Sequence, residues 1–460
     1  MLPTIIAVVV IYFLAMVAIG WYGRRYSKTF DGYLSMGKTG GILLLVGSCI
    51  GSNIGNGFVV GGAGEGAMVG LAGSAYGIAC ACTALVTGVF LSDFIYKHGY
   101  GSLAEFTRER YHSEVPGLIY DIATACASFG LVAGQLMAGK ALFEALGLSG
   151  TAGVLAIAIV VFLYSQLAGL WGAYATSVVQ TAIIMLGLLL TTGVLLGNGA
   201  IGTIKAAQAA GAASPTALNF GGMSFAGFMG MMLPVVLGMV TDQNVFLRVN
   251  SARSAKVAKN AHLLSFLIMI PLAVMPAFIG SYGASVYGAG GDTAFFDVIM
   301  GELPAIVAAI IIAAILAAVM STIDCGFATM GAVITRDILL GTMHKDLSEK
   351  QLARITVILN VSFIAISVAL ALSASSILNL LNAFYSFLAA ACFVPFVGGI
   401  LWKKGSAKGA VAASLVGVLC VVLGWVGVPL PSLGGFFPCI PGLIAYVIVS
   451  LAAPDKAQAA

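Results

Sequence analysis

Residues 47–66 read GSCIGSNIGNGFVVGGAGEG, and eight of these 20 are glycine, about three times the density of the whole chain. An unbroken helix does not favour this composition, because each interior glycine costs about 1 kcal/mol relative to alanine. Two readings fit. The glycines let neighbouring helices approach closely, or the helix is discontinuous and its unwound middle turns backbone carbonyls toward an ion or solute. Asn53 and Asn56 lie inside the stretch, where asparagine suits the capping of half-helices or the lining of a cavity together with Phe58. Backbone amides at the half-helix end near residue 57 suit a carboxylate.

The surroundings of this stretch decide the solvent. Sixty per cent of the 460 residues are apolar and 8% are charged, against about 25% charged in a soluble domain. A water-facing surface cannot be made from so few charges, so the chain is expected to be an all-α polytopic membrane protein whose main partner is the lipid bilayer. The eight cysteines are scattered through apolar stretches with no metal or disulfide spacing. Segments of about 20 apolar residues fall near 4–22, 41–68, 71–95, 116–143, 152–168, 172–197, 224–244, 262–286, 303–334, 353–373, 376–402, 409–428 and 433–453. That predicts 13 spans, the fifth and sixth parted by a short turn at Gly169 to Gly172. With the N-terminus outside and the C-terminus inside, all but Lys140 and Lys205 of the 21 basic residues fall on the inner side, as the positive-inside rule asks. The first segment has no charge before its apolar run, so it is read as a retained helix rather than a signal peptide. Placement in the plasma membrane follows.

A second stretch, 221–245, reads GGMSFAGFMGMMLPVVLGMVTDQNV, with five glycines and Pro234. Proline removes a backbone bond and kinks a helix, so an interruption is expected over 227–234. Setting the first helix aside, an interrupted helix opens each of two groups of five spans, which run in opposite directions. That is the pattern of an inverted repeat with its site at the midplane. The expected units are 4–22 before the repeats, 41–197, 221–402, and 409–453 after them.

Polar residues inside the spans mark candidate sites. Ala318, Ser321 and Thr322 share one helix face, and neutral oxygens there suit a small hard cation. The alternative is that the hydroxyls bond back to carbonyls one turn earlier. Asp324 lies 12 residues before Arg336, about 18 Å along the helix. It is a candidate to support a cation site, carry a proton or bond a neighbouring helix. Gln135 either lines a solute cavity or joins two helices. Tyr76, Phe384 and Tyr385 are candidate gates or cavity walls.

In order along the chain, SLAEFTRERY (102–111), GAYATSVVQTAIIMLG (172–187), TDQNVFLRVNSARSAKVAKNA (241–261), AVMSTIDCGFATMGAVITRDI (318–338) and FVGGILWKKGSAKGA (396–410) resemble the sodium:solute symporter family. The resemblance runs from about residue 5 to 450. It implies a LeuT-type fold of two inverted five-helix repeats, with one helix before and two after. It also implies a sodium site held by the carbonyls of Gly51, Ile54 and Ala318 and the hydroxyls of Ser321 and Thr322. Many members carry an aspartate where Ser177 stands here, which leaves sodium and proton as alternative coupling ions and gives Asp324 and Ser177 supporting roles. Phe58 and Gly77 replace the polar residues of the sugar-binding branch, which argues against a sugar, while Tyr76 matches an aromatic of that branch.

The expected activity is therefore sodium-coupled symport of a small organic solute, leaning to a carboxylate or amino-acid-like one. Asn53, Asn56, Phe58, Tyr76, Gln135, Phe384 and Tyr385 are the candidate solute contacts. Proton-coupled or uncoupled transport and a transporter-shaped receptor are the alternatives. No HExxH, GxSxG or paired-aspartate motif points to an enzyme. Nothing points to nucleic acid or to an obligate protein partner.

Overall fold

The computed structural model describes residues 2–23, 38, 40–288, 290–343, 348–431 and 436–455. Of the expected site, the side chains of Ser177, Ser321 and Asp324 lie outside the described residues. So do those of Arg24, Arg25, Lys28, Arg336, Lys345, Lys350 and Lys456 among the basic set.

The described chain is helical almost throughout, and its one extended pairing is an isolated bridge between Gly40 and Ala252. The first helix, α1, is Leu2–Gly23. The glycine-rich stretch forms α2 (Ile42–Asn53) and α3 (Gly62–Val69), with a wide turn at Gly57–Gly61 between them. Then come α4 (Ala75–Val86), α5 (Ser92–His98), α6 (Leu103–Tyr111), α7 (Glu114–Ala145), α8 (Gly150–Gly197) and α9 (Ala200–Ala209). The second half holds α10 (Phe225–Val240), α11 (Gln243–Ser251), α12 (Ala255–Leu272), α13 (Val274–Tyr287), α14 (Ala294–Glu302), α15 (Ala305–Met330), α16 (Glu349–Ser373) and α17 (Ile377–Leu401). Helices α18 (Ala407–Trp425) and α19 (Cys439–Ala452) close the chain.

Among the described residues, seven helical stretches are long and apolar enough to cross a bilayer, or eight if the bent pair α10 and α11 counts as one. Shorter apolar helices such as α2 and α19 accompany them. The exact number of 13 spans is therefore not fixed by the helices themselves.

Two expectations are corrected. No turn separates the fifth and sixth segments, because Gly150–Gly197 is one 48-residue helix. The second correction concerns 221–245. Helix α10 continues through Pro234, and the interruption falls at Thr241 and Asp242, where α10 and α11 meet at 52°. Proline strips Gly230 of its helical donor, but the Asn382 side chain donates to the Gly230 carbonyl at 3.3 Å and the helix continues. The break comes where Asp242 caps α11 by accepting from the Asn244 backbone at 2.7 Å.

Most of the glycines of 47–66 serve close packing. A Cβ at Gly47 would sit 2.6 Å from Val178, one at Gly57 2.4 Å from Leu381, and one at Gly66 2.3 Å from the Ala277 carbonyl. Helices α3 and α13 thus touch through their backbones, and the Ser281 hydroxyl donates to the Gly66 carbonyl at 2.9 Å.

Asp292, in the turn before α14, ties that region to α17. Its carboxylate accepts from the Ile377 backbone N–H at 3.1 Å. Burial, followed by the nearby Glu65 and Glu144 charges, pushes the Asp292 carboxyl up to about 6, against the opposing pull of Ile377 and Lys140. The folded protein then binds this proton more tightly than the unfolded chain between about pH 4 and pH 6. Stability from this group is present at low pH and is lost as pH rises through about 6. Thermal unfolding from pH 4 to 7 is expected to show wild type losing stability relative to Asp292→Asn as pH rises. Parallel curves would refute the assignment.

Candidate functional site

The helix breaks at Ile54 and Gly55, and Ile54 takes φ −82° and ψ 60°, outside helical values. The Ile54 amide still donates to Ile50 at 2.6 Å and the Val59 amide to Gly55 at 3.1 Å. Among the described backbone bonds, none runs from Gly55 to the Gly51 carbonyl or from Phe58 to the Ile54 carbonyl. The break thus frees the Gly51 and Ile54 carbonyls from helical donors, and that of Ser52 as well, whose donor, the Asn56 N–H, turns to Gln135.

Two other helices converge on this point. From α7, the Gln135 side-chain oxygen accepts from the Asn56 backbone N–H at 3.3 Å, and the Gly134 carbonyl accepts from the Asn56 amide at 2.6 Å. From α15, the Thr322 hydroxyl donates to the Ala318 carbonyl at 2.9 Å, which is the back-bonding alternative. That bond holds two of the expected sodium oxygens side by side. A Cβ at Gly55 would lie 3.4 Å from Gln135 Oε1 and 3.7 Å from Thr322 Oγ1, so the break, α7 and α15 meet at one place. Carbonyl and hydroxyl oxygens are the donor set that a small hard cation takes.

A polar cavity starts at this junction. Ser52, Asn53, Gly55 and Gly57 of the break line it, with Tyr76 on α4, Gln135 on α7, Thr322 on α15 and Tyr385 on α17. Asn53, Tyr76, Gln135 and Tyr385, four of the candidate solute contacts, thus line one cavity. The Asn53 amide also donates to the Cys49 carbonyl at 2.7 Å, closing the end of α2.

The other candidates lie elsewhere. Gly51 is buried, and Ile54 and Ala318 are buried at 0% and 1% exposure, behind the cavity wall. Asn56 is fully buried and bonded to α7. Phe58 is buried at 1% and fills the space against Gly77, where a Cβ would sit 3.2 Å from its ring. Phe384 packs against Gly130 and Trp425, with 6.2 Å between its ring centroid and that of Trp425. Tyr385 lines the cavity and Phe384 is not among its lining residues.

The cavity extends past the expected residues to a polar end formed by Thr83, Thr87, Asp242, Asn244, Arg248 and His262. Sequence reading placed 241–261 in an inner loop and missed this. The available signal was a carboxylate and an arginine directly after an apolar helix. The corrected position of the second break puts both beside the cavity.

The sequence model of the sodium:solute symporter family matches residues 33–417. The chain is 25% identical over 463 residues to the sodium/proline symporter of Escherichia coli, covering 94% of this chain and 89% of that one. It is 24% identical to the sodium/pantothenate symporter of Haemophilus influenzae, covering 74% and 72%. It is 25% identical to sodium/myo-inositol cotransporter 2 of Sus scrofa, covering 91% and 69%. Among solved structures, a Na+-coupled sialic acid symporter in a substrate-bound outward-open state superposes with a TM-score of 0.81 at 18% identity, covering 98% of each chain. A nucleobase-cation-symport-1 family transporter in a closed conformation superposes with a TM-score of 0.58 at 15% identity, covering 91% and 92%.

Proposed function

The chain belongs to the sodium:solute symporter family, and from that premise we propose that it carries a small amino-acid-like or carboxylate solute into the cell together with sodium. It is a multi-pass membrane transporter and not an enzyme. The observation that carries the proposal is the pair of carbonyls at Gly51 and Ile54, freed by the break, next to the Thr322 hydroxyl at the head of a polar cavity. Sodium is assigned to Gly51, Ile54, Ala318, Ser321 and Thr322, with Asp324 and Ser177 in support. The solute is assigned to the space between Asn53, Tyr76, Gln135 and Tyr385. The bacterial relatives named for proline and pantothenate, both carboxylate-bearing solutes, support the choice of class.

Sodium at the break joins α2 and α3 to α15. Its binding thereby favours one arrangement of those helices, and the solute bound alongside gains affinity by the same coupling free energy. The face bearing Lys97, Arg108 and Lys403 is assigned to the cytoplasm. Uptake into proteoliposomes tests the reading, with sodium, potassium or proton gradients imposed separately. The expected result is accumulation driven by the sodium gradient. Accumulation that follows only the proton gradient would move the coupling ion to Asp324, and transport indifferent to both would overturn the symport reading.

A further inference from the structure

We propose that the polar end of the cavity, between Thr87, Asn244 and His262, is a second station on the solute's route, which takes up an N–H-bearing end of the solute on the cytoplasmic side. The inference rests on the symport reading and names the chemistry of the group that travels. Three side-chain atoms around this end have no hydrogen-bond partner in the protein: Thr87 Oγ1, Asn244 Oδ1 and His262 Nε2. All three residues line the cavity. Thr87 and His262 are 1% and 3% exposed, so these atoms are out of reach of bulk water at the surface. An unmet polar group at such depth is unfavourable, and a passing donor relieves it.

The neighbouring bonds fix what the three atoms offer. His262 Nδ1 donates to the Ala258 carbonyl at 2.9 Å. The neutral ring is thereby protonated at Nδ1 and presents a lone pair at Nε2. The Asn244 amide nitrogen donates to Asp242 at 2.8 Å, which turns its oxygen the other way. Thr87 stands beside His262, since a Cβ at the next residue, Gly88, would be 3.3 Å from the His262 Cβ. Two of the three atoms thus only accept, and the hydroxyl is free to do so.

A sodium ion is a poor match, because hard cations select oxygen and one acceptor here is an imidazole nitrogen. A transition metal would need more than one such ligand, and the described residues contain no cluster of three His, Cys, Asp or Glu. An ammonium group fits: it donates in several directions, which three converging acceptors can meet.

The test has two arms, both on the full chain in right-side-out proteoliposomes. The first measures uptake of zwitterionic amino acids, the same acids without the amino group, and trimethylglycine, which keeps the charge but has no N–H. Amino acids alone should be carried. Uptake of an acid without an amino group or of trimethylglycine overturns the station, as does failure of every amino acid. Sodium-driven uptake of an acid without an amino group would do so while leaving the symport reading intact, and proton-driven uptake of amino acids would do the reverse. The second arm takes the amino acid carried best and compares half-saturation from the two faces. Thr87→Val and His262→Leu should each raise the internal value about tenfold, the effect of one lost buried hydrogen bond, and change the external value less than twofold. His262→Gln, which keeps an acceptor, should restore most of the loss. Equal shifts at both faces, or none at either, overturn the proposal.

Discussion

Thr322→Ala is expected to raise the sodium concentration for half-maximal uptake at least tenfold, with a much smaller change in the maximal rate at saturating sodium. The substitution removes one of the five oxygens assigned to the ion and leaves the carbonyls of Gly51, Ile54 and Ala318 in place. Contacts to a charged group are worth about 1.5–3 kcal/mol, and every 1.4 kcal/mol is a factor of ten. The hydroxyl also donates to the Ala318 carbonyl at 2.9 Å, so some stability is lost as well, on the order of 1 kcal/mol. Thr322→Ser separates the two effects, because it keeps the oxygen and loses only the methyl. Sodium-activation curves of solute uptake check the expectation. A half-saturating sodium concentration unchanged in Thr322→Ala would remove this hydroxyl from the ion site.

The glycine run shows how far sequence alone reaches. Its density was legible, and both readings of it are realised at different residues. Gly47, Gly57, Gly61, Gly64 and Gly66 sit where a Cβ would run into a neighbouring element, whereas the unwinding is confined to Ile54 and Gly55. Composition cannot separate these roles, because a glycine needed for contact and one needed for a break look the same until the facing helix is known. The second break shows the opposite failure. Pro234 is the strongest local breaking signal in α10, yet a side chain 148 positions later, Asn382, takes over the carbonyl it strands. The real interruption is made by Asp242 acting as a cap, a weaker local signal.

For the site, Gln135 was legible as a polar group within a span, and Tyr76 and Tyr385 as aromatic candidates for a cavity wall, and all three line the cavity. Thr87, Asn244 and His262 were not, since each is unremarkable in its own helix and gains meaning only from the shared cavity.

The contact between α3 and α13 supports the largest expected loss of stability. A Cβ at Gly280 would stand 1.8 Å from the Ala63 carbonyl oxygen, 2.6 Å from its carbon and 2.9 Å from its Cα. Every one of these atoms is backbone, so no rotamer change relieves the overlap and the two helices must move apart. Overpacking in a dense interior costs about 1–3 kcal/mol, and more where nothing flexible can yield. Gly280→Val is therefore expected to lower the unfolding temperature in detergent by on the order of 10 °C, with Gly280→Ala falling between it and wild type. Gly202→Val, on α9, is the matched control, because nothing lies within 4 Å of a Cβ there. Transport should fall with Gly280→Val even at temperatures where the protein remains folded. Helix α3 continues the chain from the break, so pushing it off α13 displaces the carbonyls of Gly51 and Ile54 relative to Thr322. Weakened sodium activation in the folded fraction of Gly280→Val would connect this remote contact to the ion site. A variant with wild-type unfolding temperature would mean that α3 and α13 are not in backbone contact.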